Sequence, residues 1–170
     1  PAYIMPLADA TLADDLMDIR RYPIQDRIKI FMDILAGLEE IHDLSIYHRD
    51  LKPQNILRFG TNYAISDFGL ISLDKSQVSG LTHTGLAIGS DKYTAPEITS
   101  ELKFASRASD IYSAGCILHD LTTLNLGARI PCNQIKDPTN PYELILQICT
   151  RLDKNERFQS VKDLREAVVS

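Results

Sequence analysis

His48-Arg49-Asp50-Leu51-Lys52-Pro53-Gln54-Asn55 opens a stretch that closes at Ser66-Asp67-Phe68-Gly69. The first half gathers a carboxylate, two amides and two cations within eight residues. Pro53 fixes its own φ and turns Lys52 away from the helical region. Asp50, Lys52 and Asn55 are therefore expected on an ordered loop and not on a helix face. Ile56-Leu57-Arg58-Phe59 and Tyr63-Ala64-Ile65-Ser66 then flank Gly60-Thr61-Asn62. Two apolar runs around a Gly/Asn turn predict a β-hairpin. A hairpin brings its ends together, so Asn55 and Asp67 are expected side by side, within about 5 Å at the backbone. An amide oxygen beside a carboxylate suits a hard cation such as Mg²⁺.

Working outward, Pro23 to about Leu44 carries Ile24, Ile28, Phe31, Leu35, Leu38 and Ile41 at steps of three and four. This is the pattern of a long amphipathic helix with Pro near its first turn. Ile46-Tyr47 is expected as a short strand leading into the loop. Upstream, Tyr3-Ile4-Met5 reads as a strand end and Pro6 to Asp9 as a connector. Thr11 reads as the cap of a short helix bearing Leu12, Leu16 and Ile19. Downstream, Ala105 to Leu121 is apolar on nearly every side, as a buried helix is. Asp110 near its start must be paired or accept hydrogen bonds, and a helix N-cap is one such role. Asn140-Pro141-Tyr142-Glu143 has the signature of a helix start. That helix is expected to continue through Leu144, Ile148 and Leu152. Ser160 reads as the cap of a last helix ending near Val169.

The chain has 170 residues, 44% hydrophobic and 24% charged, with a formal net charge of -5. The size suits one compact domain or lobe. The acidic balance argues against general nucleic-acid or anionic-membrane binding. No apolar run reaches transmembrane length and the start does not read as a signal peptide. Cys116, Cys132 and Cys149 form neither a zinc-ligand pattern nor a disulfide framework, so a reducing, cytoplasmic setting is the expectation. Cys116 and Cys149 read as small core residues.

HRDLKPQN at positions 48–55 followed by DFG at 67–69 resembles the catalytic loop and metal-binding motif of eukaryotic-type protein kinases. Gly89-Ser90-Asp91-Lys92-Tyr93-Thr94-Ala95-Pro96-Glu97 resembles the GTxxYxAPE close of a kinase activation segment, with Ser90 for Thr. Ser109-Asp110-Ile111-Tyr112-Ser113-Ala114-Gly115 resembles SDxWSxG, and Leu152 to Arg157 resembles LDPxxR. The resemblance implies a mainly α fold, the helical C-terminal lobe of a serine/threonine kinase, with short β-hairpins carrying the catalytic and metal-binding loops. Residues 1–10 would end the inter-lobe hinge and 11–170 would form the lobe, with the catalytic loop at 48–55 and the activation segment at 67–97.

The resemblance also implies roles. Asp50 would orient a Ser/Thr hydroxyl of a protein substrate and accept its proton. Lys52 would neutralise the transferring phosphoryl group. Asn55 and Asp67 would hold Mg²⁺, or Mn²⁺ in its place, on ATP. Met5, Leu7, Ala8 and Leu57 would contact the nucleotide, although the first three also read as a plain edge strand and turn. His48 would pack behind Phe68, against a general-base reading, and Gly69 would free the backbone there. Arg49 would receive a phosphate on the activation segment, with Thr82 and Thr84 as candidate sites or as ordinary solvated hydroxyls. The Ser90 hydroxyl would approach Asp50 and Lys52. The Asp110 carboxylate would accept backbone hydrogen bonds from the catalytic loop. Arg157, otherwise a surface charge, would pair with Glu97.

A Gly-rich loop, a VAIK-like strand Lys and a partner Glu helix are not found in these 170 residues. The chain also lacks an initiator Met. The expectation is therefore a piece of a longer kinase, with the N-terminal lobe elsewhere in the parent protein and negligible activity in the piece alone. The alternative is a pseudokinase or stand-alone lobe acting as a partner-binding module. A small-molecule phosphotransferase of kinase-like fold is disfavoured by Lys52 and Ala95-Pro96-Glu97.

Overall fold

The computed structural model describes residues 6–67, 92–98, 104–123 and 137–170. Met5, Phe68, Gly69, Thr82, Thr84, Ser90 and Cys132 lie outside the described residues. The chain first forms a two-residue strand, β1 (Ala10–Thr11), and then α1 (Leu12–Leu16). Thr11 caps α1: its Oγ1 accepts from Asp14 N at 3.3 Å, and Asp14 Oδ2 accepts from Thr11 N at 2.9 Å. This reciprocal box satisfies two end groups of the helix. The helix stops at Leu16, so Ile19 falls on a separate 3-10 turn, Ile19–Arg21.

The long amphipathic pattern forms α2 (Ile24–Asp43), with Pro23 as its N-cap, directly before the first turn. Ile30, Phe31, Ile34, Leu35 and Leu38 face the core. Each contributes about 1.5–3 kcal/mol relative to exposure. Ile24, Ile28 and Ile41 lie at the margins of that face, half-buried. The helix ends in a left-handed Ser45 (φ 59°). Ser45 N donates to His42 O at 3.0 Å and Ile46 N to Ile41 O at 2.9 Å. This pair of reversed bonds is a Schellman closure. It uses the backbone of Ile46, and the strand expected at Ile46–Tyr47 does not form.

Pro53–Asn55 make one 3-10 turn, so Asn55 sits at its end while Asp50 and Lys52 lie in irregular backbone. The hairpin follows as β2 (Ile56–Phe59) and β3 (Asn62–Ile65), with Ile56 opposite Ile65 and Phe59 opposite Asn62. Only Gly60 and Thr61 are left for the turn, and Gly60 takes the positive φ (61°) that a tight hairpin requires. β1 adds antiparallel to the other side of β2, giving the order β1-β2-β3.

α3 (Arg107–Thr122) is buried from Ala108 to Leu121 and lies across α2. Its N-cap is Ser106, so Asp110 is one turn inside the helix and not its cap. α4 (Glu143–Cys149) packs on α3 where Gly115 permits it: a Cβ there would stand 2.4 Å from Cys149 Cβ. Asn140 Oδ1 accepts from Tyr142 N at 2.9 Å, but the helix begins only at Glu143 and ends before Leu152. The face expected from Leu144, Ile148 and Leu152 is corrected by the structure. Leu146 and Cys149 are buried, while Leu144 and Leu152 are 68% and 67% exposed. The close approach at Gly115 turns the Cys149 side inward, and burial pushes the Cys149 thiol pKa up. α5 (Val161–Val169) is capped by Ser160, whose Oγ accepts from Asp163 N at 3.1 Å. Cys116 and Cys149 are both core thiols. Among the described residues, no helix is long and apolar enough to cross a membrane.

Candidate active site

The loop between α2 and β2 is held from below by one carboxylate. Asp110 is 1% exposed. Its Oδ2 accepts from His48 N at 2.9 Å and its Oδ1 from Arg49 N at 2.9 Å. His42 Nε2 donates to Oδ2 at 2.8 Å. Three donors satisfy a buried anion that would otherwise cost several kcal/mol. The clamp also holds Arg49 in left-handed backbone, φ 71°, which is unfavourable for a long side chain. That kink sets the direction of Asp50, the next residue.

The two sides of Asp50 are differently engaged. Oδ2 pairs with Lys52 Nζ at 2.8 Å and accepts from Asn55 Nδ2 at 3.1 Å. Among the described residues, Oδ1 accepts no hydrogen bond. The side chains of Asp50 and Lys52 are 32% and 27% exposed, so the pair is open to a substrate. Asn55 is buried, and its Nδ2 also donates to Asp50 O at 2.8 Å. Both amide bonds use nitrogen, which leaves the Asn55 oxygen as the acceptor for another partner.

Asp67 follows β3 on the exposed side with φ 59°, a conformation Asp tolerates. The ladder continues one step past Ile56–Ile65, with Ser66 N donating to Asn55 O at 2.8 Å. Asp67 is therefore the first residue beyond the step that joins Ser66 to Asn55. An amide oxygen and a carboxylate are a hard-oxygen pair that fits Mg²⁺, which takes few protein ligands and completes its shell with phosphates and water.

His48 is fully buried. Its Nε2 bonds the Ser66 carbonyl at 2.9 Å, and its Nδ1 faces Asp50 N at 3.4 Å. A carbonyl only accepts and a backbone N–H only donates, so Nε2 donates to Ser66 O and the Nδ1 lone pair faces Asp50 N. Both ring nitrogens are occupied, which leaves no atom for general-base work.

The segment ending at Ile98 is anchored on α3 through Ser109, Ser113 and Asp120. Arg157 Nη1 and Nη2 donate to Glu97 Oε1 and Oε2, each at 2.8 Å, and Ser109 Oγ donates to Glu97 Oε1 at 2.8 Å. Burial raises the Glu97 pKa, but the hydrogen bonds from Arg157, the backbone and Ser109 outweigh it and leave it below the ordinary value. Asp120 holds the other end, pairing with Lys92 Nζ and accepting from Tyr93 OH at 2.6 Å. Burial raises its pKa too, and contacts with His119, Lys92 and Tyr93 bring it below the usual range.

Leu7 is 95% exposed, Ala8 is half-buried, and half-buried Leu57 sits in the sheet opposite Ala64. The structure thus gathers His48, Arg49, Asp50, Lys52, Asn55 and Asp110 at one end of the hairpin, with Asp67 adjoining. Glu97 and Arg157 form a separate anchor. Sequence reasoning passed over His42, Ser66, Ser109 and the Lys92–Tyr93–Asp120 cluster. Ser109, beside Asp110, and Tyr93, the Tyr of the 89–97 motif, carried a signal that could have marked them.

The family model of the protein kinase domain matches residues 3–168 of the chain. CBL-interacting protein kinase 21 of Oryza sativa subsp. japonica is 40% identical over 100 residues, covering 58% of this chain and 19% of that protein. The probable serine/threonine-protein kinase KCC4 of Saccharomyces cerevisiae is 37% identical over 134 residues, 78% of this chain and 12% of that protein. The serine/threonine-protein kinase/endoribonuclease IRE1b of Arabidopsis thaliana is 36% identical over 121 residues, 68% of this chain and 14% of that protein. The matches thus cover a fifth or less of the length of each of these relatives.

Proposed function

We propose a function for this chain, which belongs to the protein kinase family: it is the larger, helical lobe of a serine/threonine protein kinase, carrying the groups that act on the substrate hydroxyl and on ATP·Mg²⁺. The observation that carries this reading is the two-sided state of Asp50. Lys52 and Asn55 hold Oδ2, while Oδ1 remains able to accept a proton. A fixed carboxylate with one open oxygen orients a hydroxyl and takes its proton as the phosphoryl group transfers. Lys52, already beside Asp50, neutralises charge on the transferring group. Asn55 and Asp67 would hold Mg²⁺, which supplies charge neutralisation on the phosphate oxygens. Leu57, with Leu7, Ala8 and Met5, would contact the nucleotide. Phe68 would pack against His48, with Gly69 freeing the backbone there; Arg49 would meet a phosphate on Thr82 or Thr84, and the Ser90 hydroxyl would approach Asp50 and Lys52. Cytoplasmic placement and an N-terminal lobe in the parent protein belong to the same reading.

The alternative of a pseudokinase or partner-binding module is not favoured by any single observation at the site. Incubating a full-length protein that carries this chain with Mg·ATP and a mixed protein substrate tests the assignment. Phosphoserine and phosphothreonine in the product are the expected result. Binding of Mg·ATP with no transfer to any hydroxyl would support the module instead.

A further inference from the structure

Ser66 stands between Asn55 and Asp67 and makes more bonds than its place in the hairpin requires. Its N–H donates to Asn55 O at 2.8 Å, a bond any residue but proline could supply. Its hydroxyl donates to the same carbonyl at 3.1 Å, and this bond depends on the side chain. Its own carbonyl accepts from His48 Nε2 at 2.9 Å, and the other nitrogen of that ring faces Asp50 N at 3.4 Å. One residue thus ties the backbone of Asn55 to the ring that lies under Asp50. The residue after it, Asp67, takes left-handed backbone at φ 59°.

We propose that Ser66 is a positioning residue: its hydroxyl, doubling the bond to Asn55 O, fixes the offset between Asn55 and Asp67 and so the geometry of the cation site. The proposal rests on the reading of Asn55 and Asp67 as the Mg²⁺ ligands. The regular ladder ends at the Ile56–Ile65 pair, and the Ser66–Asn55 step carries the register one residue further, next to Asp67. A single N–H bond at the end of a two-stranded ladder frays readily. A second donor from the same residue to the same oxygen restricts both the separation and the rotation of the pair. Mg²⁺ tolerates little departure from octahedral geometry, so loosening this step weakens cation binding before it affects the fold.

The test compares Ser66→Thr with Ser66→Val in a full-length protein carrying this chain. The two side chains have the same shape and differ only in the hydroxyl. The probe is Mn²⁺ in the presence of ADP, with bound Mn²⁺ measured by electron paramagnetic resonance and folding by thermal unfolding. Ser66→Val is expected to weaken Mn²⁺ binding about 3- to 10-fold, the effect of one hydroxyl–carbonyl bond, while Ser66→Thr stays near wild type. In turnover assays the loss appears in the apparent affinity for Mg²⁺ and not in kcat. Equal Mn²⁺ affinity in the two variants, with wild type binding normally, overturns the positioning role alone. Failure of the wild-type protein to bind Mn²⁺ with ADP, or indifference of binding to Asp67→Asn, overturns the ligand assignment and the proposal with it. A shared fall in unfolding temperature, with affinity lowered equally in both variants, assigns Ser66 to packing and also overturns it.

Discussion

Asp110 Oδ1 accepts the backbone N–H of Arg49 at 2.9 Å, across sixty-one positions of sequence, and Arg49 is the residue whose left-handed backbone turns Asp50 outward. The helix that forms the centre of the core therefore also sets the direction of the candidate base. Asp110 contacts no substrate group; it acts through the loop above it.

Replacing Asp110 by Asn leaves one acceptor and sets an amide N–H₂ against a buried donor. Unsatisfied buried donors cost about 1–3 kcal/mol each. Asp110→Asn is expected to lower unfolding free energy by about 2–4 kcal/mol in a urea titration with an unaltered slope. A loss under about 0.5 kcal/mol, the range of ordinary surface changes, would show that the clamp is not needed.

Arg157 is fully buried at its side chain and meets Glu97 with both terminal nitrogens. Removing one partner of a buried pair strands the other. Arg157→Ala is expected to cost about 3–5 kcal/mol. Arg157→Lys should recover only a minor part, because a single ammonium cannot reproduce the two parallel bonds. A double-mutant cycle with Glu97→Gln checks the coupling; additive effects would contradict a direct pair.

Acid stability follows from the same carboxylates. Glu97 and Asp120 both titrate below their ordinary values, 4.5 and 3.8. A depressed folded pKa gives stability that is complete above the unfolded value and lost as pH falls through the folded one. These two groups thus leave stability level from pH 7 to about pH 5 and take it away below about 4.5. Glu97→Gln is expected to be less stable at pH 7 and to show a flatter acid limb. An unchanged acid limb would remove Glu97 from this account.

Gly115 sits where α3 meets α4, and an added Cβ would stand 2.4 Å from Cys149 Cβ and 3.3 Å from Thr150 Cγ2. Gly115→Ala normally gains helix propensity, about 1 kcal/mol. Here overpacking is expected to win, for a net loss of about 1–3 kcal/mol in thermal or urea unfolding. Cys149→Gly in the same chain relieves the clash, whereas Cys149→Ala does not, since the offending atom is the Cβ. A stabilised Gly115→Ala protein would contradict the close approach.

The long periodic segments were legible because their patterns extend over several turns. α2 and α3 follow from steps of three and four and from an all-apolar run, and the hairpin from its Gly-centred turn. Short elements were less so. α4 spans two turns, and there Leu144, Ile148 and Leu152 spell a plausible buried stripe that packing at Gly115 overrides. Ile46–Tyr47 looked like a strand by composition, yet the Schellman closure and Asp110 claim its neighbouring amides. At the site, motif spacing marked the acids and the Lys. Bonds between backbone atoms, such as Ser66 N–H to Asn55 O, leave no trace in residue type. Neither does a contact that joins distant segments, such as His42 with Asp110.

The most direct test of the catalytic reading is Asp50→Asn in a full-length protein carrying this chain, assayed for phosphate transfer from Mg·ATP to protein Ser/Thr hydroxyls. Asn keeps the size and the contacts to Lys52 and Asn55 but cannot take a proton. The account predicts a fall in kcat of about 10²–10⁴-fold, with Mg·ATP affinity within a few-fold of wild type. A variant that turns over at the wild-type rate would contradict the role of Asp50 and the proposed function built on it.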